Sequence, residues 1–173
     1  VTTITDLVHD VTNYLVAQAQ QNTALGAAFT SPVLVIDGPT VNRDQVLTVP
    51  LRLWIGYDAI TGMAESGSAR QRWPFVGVSG AYREEEGSLT CTAEAWTGDP
   101  TASVARASCK AVVGAVEIML RGAPATGGPG DTTMGGLVQW SQIEEFTWFQ
   151  DQSNNGMSAA CVFRVTWLAR LPP

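Results

Sequence analysis

MSAACVFRVTWLAR, residues 157–170, alternates without a break. Met157, Ala159, Cys161, Phe163, Val165, Trp167 and Ala169 fall on one side, while Arg164, Thr166 and Arg170 lie among the other set. A period of two belongs to a strand with one face on a core. Asn154-Asn155-Gly156 immediately before it is a tight-hairpin signal. Upstream of that turn, Val138 to Gln150 is aromatic and strand-like.

Working outward, Asp99-Pro100 marks a helix start, with Asp as N-cap and Pro at the first helical position. Ala105, Cys109, Val112, Val116 and Met119 then recur at helical spacing, and Gly122 predicts the end. Before this helix, Leu89 to Trp96 alternates again, with Leu89, Cys91, Ala93 and Ala95 on one face. At the other end of the chain, Thr3 to Asp6 has the form of a capping box. Ile4, Leu7, Val8, Val11 and Leu15 continue from it as an amphipathic stripe ending near Gln20 or Gln21.

Val33–Ile36 is a short β-branched run stopped by Asp37-Gly38-Pro39. Leu51, Leu53, Ile55 and Tyr57 alternate with Arg52, Trp54 and Gly56, which predicts a strand with one face on the core. Asp58 to Gln71 has no period and reads as a long loop, and Trp73 to Tyr82 as a strand or extended arm. Residues 122–136 read as a flexible connector. The expected class is α+β: a mainly antiparallel sheet with two amphipathic helices packed on one face. The length predicts a single domain over 1–173.

Apolar residues make up 45% of the chain and charged residues 15%. The second figure is well below the roughly 25% usual for a soluble domain. With six Trp, it predicts apolar surface that other subunits cover; a generously aromatic core is the alternative. The net charge is −6, the only lysine is Lys110, and no basic run occurs. Binding to a nucleic-acid backbone or an anionic membrane needs clustered cations, so neither is expected. Cys91, Cys109 and Cys161 form no metal-binding spacing and read as buried thiols of a reducing compartment. The opening VTTITDLVHDV lacks a basic segment followed by an apolar one, which predicts no signal peptide and synthesis in the cytosol.

The search for chemistry yields no catalytic residue, cofactor site or metal site. His9 stands alone, at the edge of the first helical stripe, with no second histidine to share a metal. Glu84-Glu85-Glu86 is the densest acidic cluster, but consecutive residues of an extended chain point to alternate faces. It reads as a solvated turn or a charged interface. Gly127-Gly128-Pro129-Gly130 is followed by no Lys-Ser/Thr, and Gly77-Val78-Ser79-Gly80 is not a nucleophile elbow. The expectation is a protein that is not an enzyme.

Several segments resemble the tail terminator (tail completion) proteins of actinobacterial long-tailed phages. The short strand into Asp37-Gly38-Pro39, with Val41 soon after, is similar to that family's D-G-P turn. Trp54-Ile55-Gly56-Tyr57-Asp58 resembles its W-V-G-Y-D strand end, and Arg83-Glu84-Glu85 its R-x-E strand start. Trp96-Thr97-Gly98-Asp99 resembles its W-x-G-D step, and Ala169-Arg170-Leu171 the end of its R-A-R-I strand. One departure is the acidic run continuing into Gly87-Ser88, where the family goes straight into apolar residues.

The resemblance implies a homo-oligomer, a hexameric ring that caps the head-proximal end of the tail tube. Its implied partners are the tail tube protein and the head–tail connector (stopper), in the virion after assembly in the host cytoplasm. The alternatives are a head–tail connector or tail tube protein and, from another class, a small-molecule-binding α/β domain. Contacts with neighbours are expected from the segments without a core-facing period, Asp58–Trp73 and Gly122–Leu137. The candidate interface residues are Glu65, Arg70, Arg72, Trp73, Glu84 and Glu85.

Overall fold

The computed structural model describes residues 6–21, 32–39, 48–62, 67–72, 83–121, 131–153 and 156–171. The elements run α1 (Asp6–Gln21), β1 (Leu34–Asp37), β2 (Leu51–Ile55), β3 (Ser68–Arg72), β4 (Arg83–Thr97), α2 (Ala102–Arg121), β5 (Trp140–Ser153) and β6 (Gly156–Leu171). The fold is α+β, a mainly antiparallel sheet with two helices, as the patterning predicts. The strands lie in the order β1-β2-β4-β6-β5, with β3 also on β4. Among the described residues only the β1–β2 pair is parallel.

β4 and β6 are the spine. They pair along their whole length, from Arg83 opposite Leu171 to Thr97 opposite Met157. The other edge of β4 is shared end to end: β2 pairs with Cys91–Ala95, and β3 with Glu84–Ser88. Thr3, Ile4 and Thr5 of the expected capping box lie outside the described residues, as does the strand expected over Trp73–Tyr82.

Alternation in β6 translates directly into burial. Phe163, Val165, Trp167 and Ala169 are all at 1% exposure or less, and they join α1 and α2 in one core. From α1 come Leu7, Val11, Leu15 and Ala19, one every fourth residue. His9 lies on the outer side of that helix, within 2.9 Å of the Asn13 side chain one turn on. From α2 come Ala105, Cys109, Val112, Val116 and Leu120, with Met119 half-buried. α2 begins at Ala102, later than Asp99 as N-cap and Pro100 as first helical residue predict; Asp99 Oδ1 instead accepts the Thr101 N–H at 2.7 Å in the turn that leads into the helix. Burying an aromatic such as Phe163 contributes about 1.5–3 kcal/mol, and truncating it to Ala costs about 3–5 kcal/mol.

The face of the sheet away from the helices is not simply wet. All five residues of β2 are buried, so the expectation of one core face is corrected. After Gly56 (φ +74°) the chain folds back over that face. The Tyr57 N–H reaches Thr90 O, and Thr92 Oγ1 bridges the Ala59 N–H and Tyr57 O. Trp54, Ile36 and Ala59 make a small second core there. Within it Glu94 accepts Trp54 Nε1–H at 2.8 Å and pairs with Arg52 Nε at 2.9 Å.

Two stretches read as loops are corrected. Ser68–Arg72 forms β3, because pairing with the exposed β4 edge satisfies its backbone even though its side chains show no apolar period. Residues 131–136, assigned to the connector, belong to a tight turn over 131–138 held by Asp131. Its carboxylate accepts from Thr133 N–H and Oγ1–H, from the Gly135 N–H and, at 2.9 Å, from Tyr14 Oη–H on α1. Met134 in this turn takes φ +50° and is fully buried.

Candidate functional site

β5 closes one side of the sheet, and no strand among the described residues pairs with its outer edge. It begins as a regular partner of β6, Trp140 opposite Leu168, and slips register between Glu144 and Thr147. Glu145 sits in that bulge at φ +54° and pairs with Arg164 at 3.0 Å. The slip leaves Phe146 without a cross-strand partner on β6. Trp140 (41%), Phe146 (50%), Trp148 (45%) and Phe149 (38%) are all exposed. These four are half of the exposed large apolar side chains among the described residues, gathered on one strand.

Two hollows mark the helix-free face, and β5 rims both. The first, of about 380 Å3, is lined by Ser68, Arg70, Glu86, Ser88, Thr166 and Trp140 among others. The second, of about 400 Å3, lies over Arg52 and Glu94 and is bounded by Ile60, Phe149 and Asp151. Aromatic anchors beside charged and hydroxyl groups suit a protein contact with a desolvated centre and a polar rim.

The acidic triple behaves differently from the expectation of a solvated turn. Arg83-Glu84-Glu85-Glu86 is the start of β4, and Glu85 is fully buried, its Oε2 accepting from Gln71 Nε2 at 2.7 Å. Glu84 pairs with Arg170 at 3.6 Å and Glu86 with Arg72 at 3.1 Å. Alternation sends Glu85 to the helix side and its neighbours to the other, so the three carboxylates do not converge.

Of the residues expected at an interface, Arg70 and Arg72 are exposed on β3, and Glu84 is half-buried on β4. Glu85 is part of the packed interior and is withdrawn. Glu65 and Trp73 lie outside the described residues. The sequence reading missed Trp140, Phe146, Trp148 and Phe149. The signal was present: around Glu144-Glu145 the aromatics occupy both parities, and a strand with one buried face cannot hide both sets.

The chain matches no protein-family model and no curated protein. No helix among the described residues is long and apolar enough to cross a membrane.

Proposed function

We propose that this chain is a structural subunit of a long-tailed phage virion: a ring-forming tail terminator. In this reading it caps the head-proximal end of the tail tube, stops tube polymerisation and presents the surface that meets the head connector. The observation that carries it is the set of exposed aromatics gathered on β5, which suits burial against another subunit. The resemblance set out above supports it, and two of its landmarks sit where backbone geometry demands them. Gly38 of the Asp37-Gly38-Pro39 turn and Gly56 of the Trp54–Asp58 segment both take positive φ, +61° and +74°.

Electron microscopy of the purified protein, with its mass in solution, tests the reading. A closed six-fold ring that binds one end of tail tubes is the expected result. A stacked helical tube would instead make it a tail tube protein, and a ring that binds only the portal-side partner a connector. The 380 Å3 hollow beside Trp140 favours one other reading, a small-molecule-binding domain. A monomer at all concentrations that binds a small ligand saturably would replace the first reading with that one.

A further inference from the structure

One patch on the face without helices brings exposed apolar side chains around a covered polar centre. The hollow of about 400 Å3 over Arg52 and Glu94 has Ile60 (39% exposed) and Phe149 (38%) in its wall. Trp96, 43% exposed, stands beside it: it is paired with Ser158 of the same wall, and Ser158 with Asp151. Paired residues of one row project to the same side of a sheet. Arg52 and Glu94 neutralise each other, whereas Asp151 is in no ion pair among the described residues. The patch is apolar at its rim and acidic in net charge.

The opposite face of the subunit carries the complement. Val104 on α2 is 40% exposed, and Arg106 and Lys110 are exposed on the same helix, about one turn apart. Neither cation is in an ion pair among the described residues. This part of α2 lies directly behind the patch. Cys109 Sγ donates to Ala93 O at 3.3 Å, and the next residue of β4, Glu94, lines the hollow on the other side. The first half of α2 and the hollow therefore share one end of the sheet, on its two faces.

We propose that the first half of α2 of one copy docks on the hollow of a second copy of this chain. Arg106 and Lys110 then face Asp151, and Val104 meets Ile60, Trp96 and Phe149. Copies in the same orientation can make this contact, since both surfaces lie at the same end of the sheet. Charge selects unlike faces: α2 against α2 would set Arg106 and Lys110 against themselves, and hollow against hollow would set Asp151 against Asp151. Ile60, Trp96 and Phe149 supply the apolar area that the charges alone do not. Because the contact joins two different faces it repeats, and repetition closes a ring or runs on as a filament. This inference rests on the reading of the chain as a self-assembling subunit, and names the two faces that meet.

Charge-swap variants of the whole chain test it by sedimentation. Asp151→Lys makes both faces basic, and Arg106→Glu with Lys110→Glu makes both acidic. Each variant should keep the parent's circular dichroism and lose self-association about tenfold or more. Their equimolar mixture should recover it, because each then offers the other an opposite charge. Hydroxyl-radical footprinting of the parent should show Trp96 and Phe149 protected in the assembly relative to diluted monomer. The footprint needs no variant, so it decides the matter even where a substitution disturbs the fold. A parent that assembles while both variants assemble equally well overturns this contact and leaves self-assembly standing. Weak variants whose mixture stays weak, or labelling of Trp96 and Phe149 unchanged on assembly, overturn it as well. A parent that is monomeric at every concentration overturns both this contact and the ring.

Discussion

The indole of Trp167 lies on Gly87, its direct partner across the β4–β6 pair, and fills the space a β-carbon would take. Trp167 is 1% exposed and among the largest fully buried side chains of the core. The glycine that interrupts the apolar pattern of β4 is therefore a seat for the largest residue of β6. Gly87→Ala forces the ring off this seat and should cost about 1–3 kcal/mol as an overpacked core. Urea denaturation followed by tryptophan fluorescence measures it. An unchanged midpoint would show that the indole has room to move.

Glu94 joins Trp54 to Arg52 on the side of the sheet without helices, with the Arg52 side chain 8% exposed and that of Glu94 16%. Removing the carboxylate takes the Glu94 charge away from a covered guanidinium. Glu94→Ala should cost about 3 kcal/mol. Glu94→Gln keeps an acceptor for the Trp54 N–H and should fall between the variant and the parent. Equal losses for the two substitutions would mean that the hydrogen bond contributes nothing beyond the charge.

The Asp131 clamp makes stability depend on pH at both ends. The Thr133 hydroxyl, with the Gly135 and Thr133 N–H groups and Tyr14, holds the Asp131 carboxyl below its ordinary 3.8 against the opposing effect of burial. Its contribution is present above that ordinary value and is lost as pH falls through the depressed folded value. Tyr14 is shifted the other way, up from 10.0 to about 12, by burial and then by its bond to Asp131. Its contribution is complete below pH 10 and lost as pH rises through about 12. Melting temperature against pH should therefore fall less steeply in acid for Asp131→Asn, and less steeply in alkali for Tyr14→Phe. Curves parallel to the parent's would remove the clamp from the account.

Cys91, Cys109 and Cys161 are all buried and unbridged. Burial pushes their thiols up to about 12, about 12 and about 11, with Cys161 and Glu94 adding to the effect at Cys109. The thiolate is the reactive form, so the folded protein should resist a thiol-exchange dye at pH 8. All three should react once guanidinium unfolds the chain. A thiol that reacts rapidly in the native state would place one of them in an accessible position.

Sequence alone determined the elements whose side chains carry their own period. α1, α2, β4 from Leu89 and β6 were legible because each buries one face, and burial of one face imposes a repeat of 3.6 or 2 residues. It also determined that Glu84, Glu85 and Glu86 cannot converge, since that follows from strand pleat. Tertiary structure decided the rest. β3 has no apolar period, and only the free edge of β4 makes Ser68–Arg72 a strand. Glu85 looks solvated in a run of acids, and only its place opposite Gln71 and Ala169 encloses it. Met134 sits in a glycine-rich stretch, and only the hydrogen bonds converging on Asp131 draw it into the core. The exposed aromatics of β5 depend on which strand lies at the edge of the sheet. That is a property of chain topology, set by long-range pairings that leave no local mark in the residues they join.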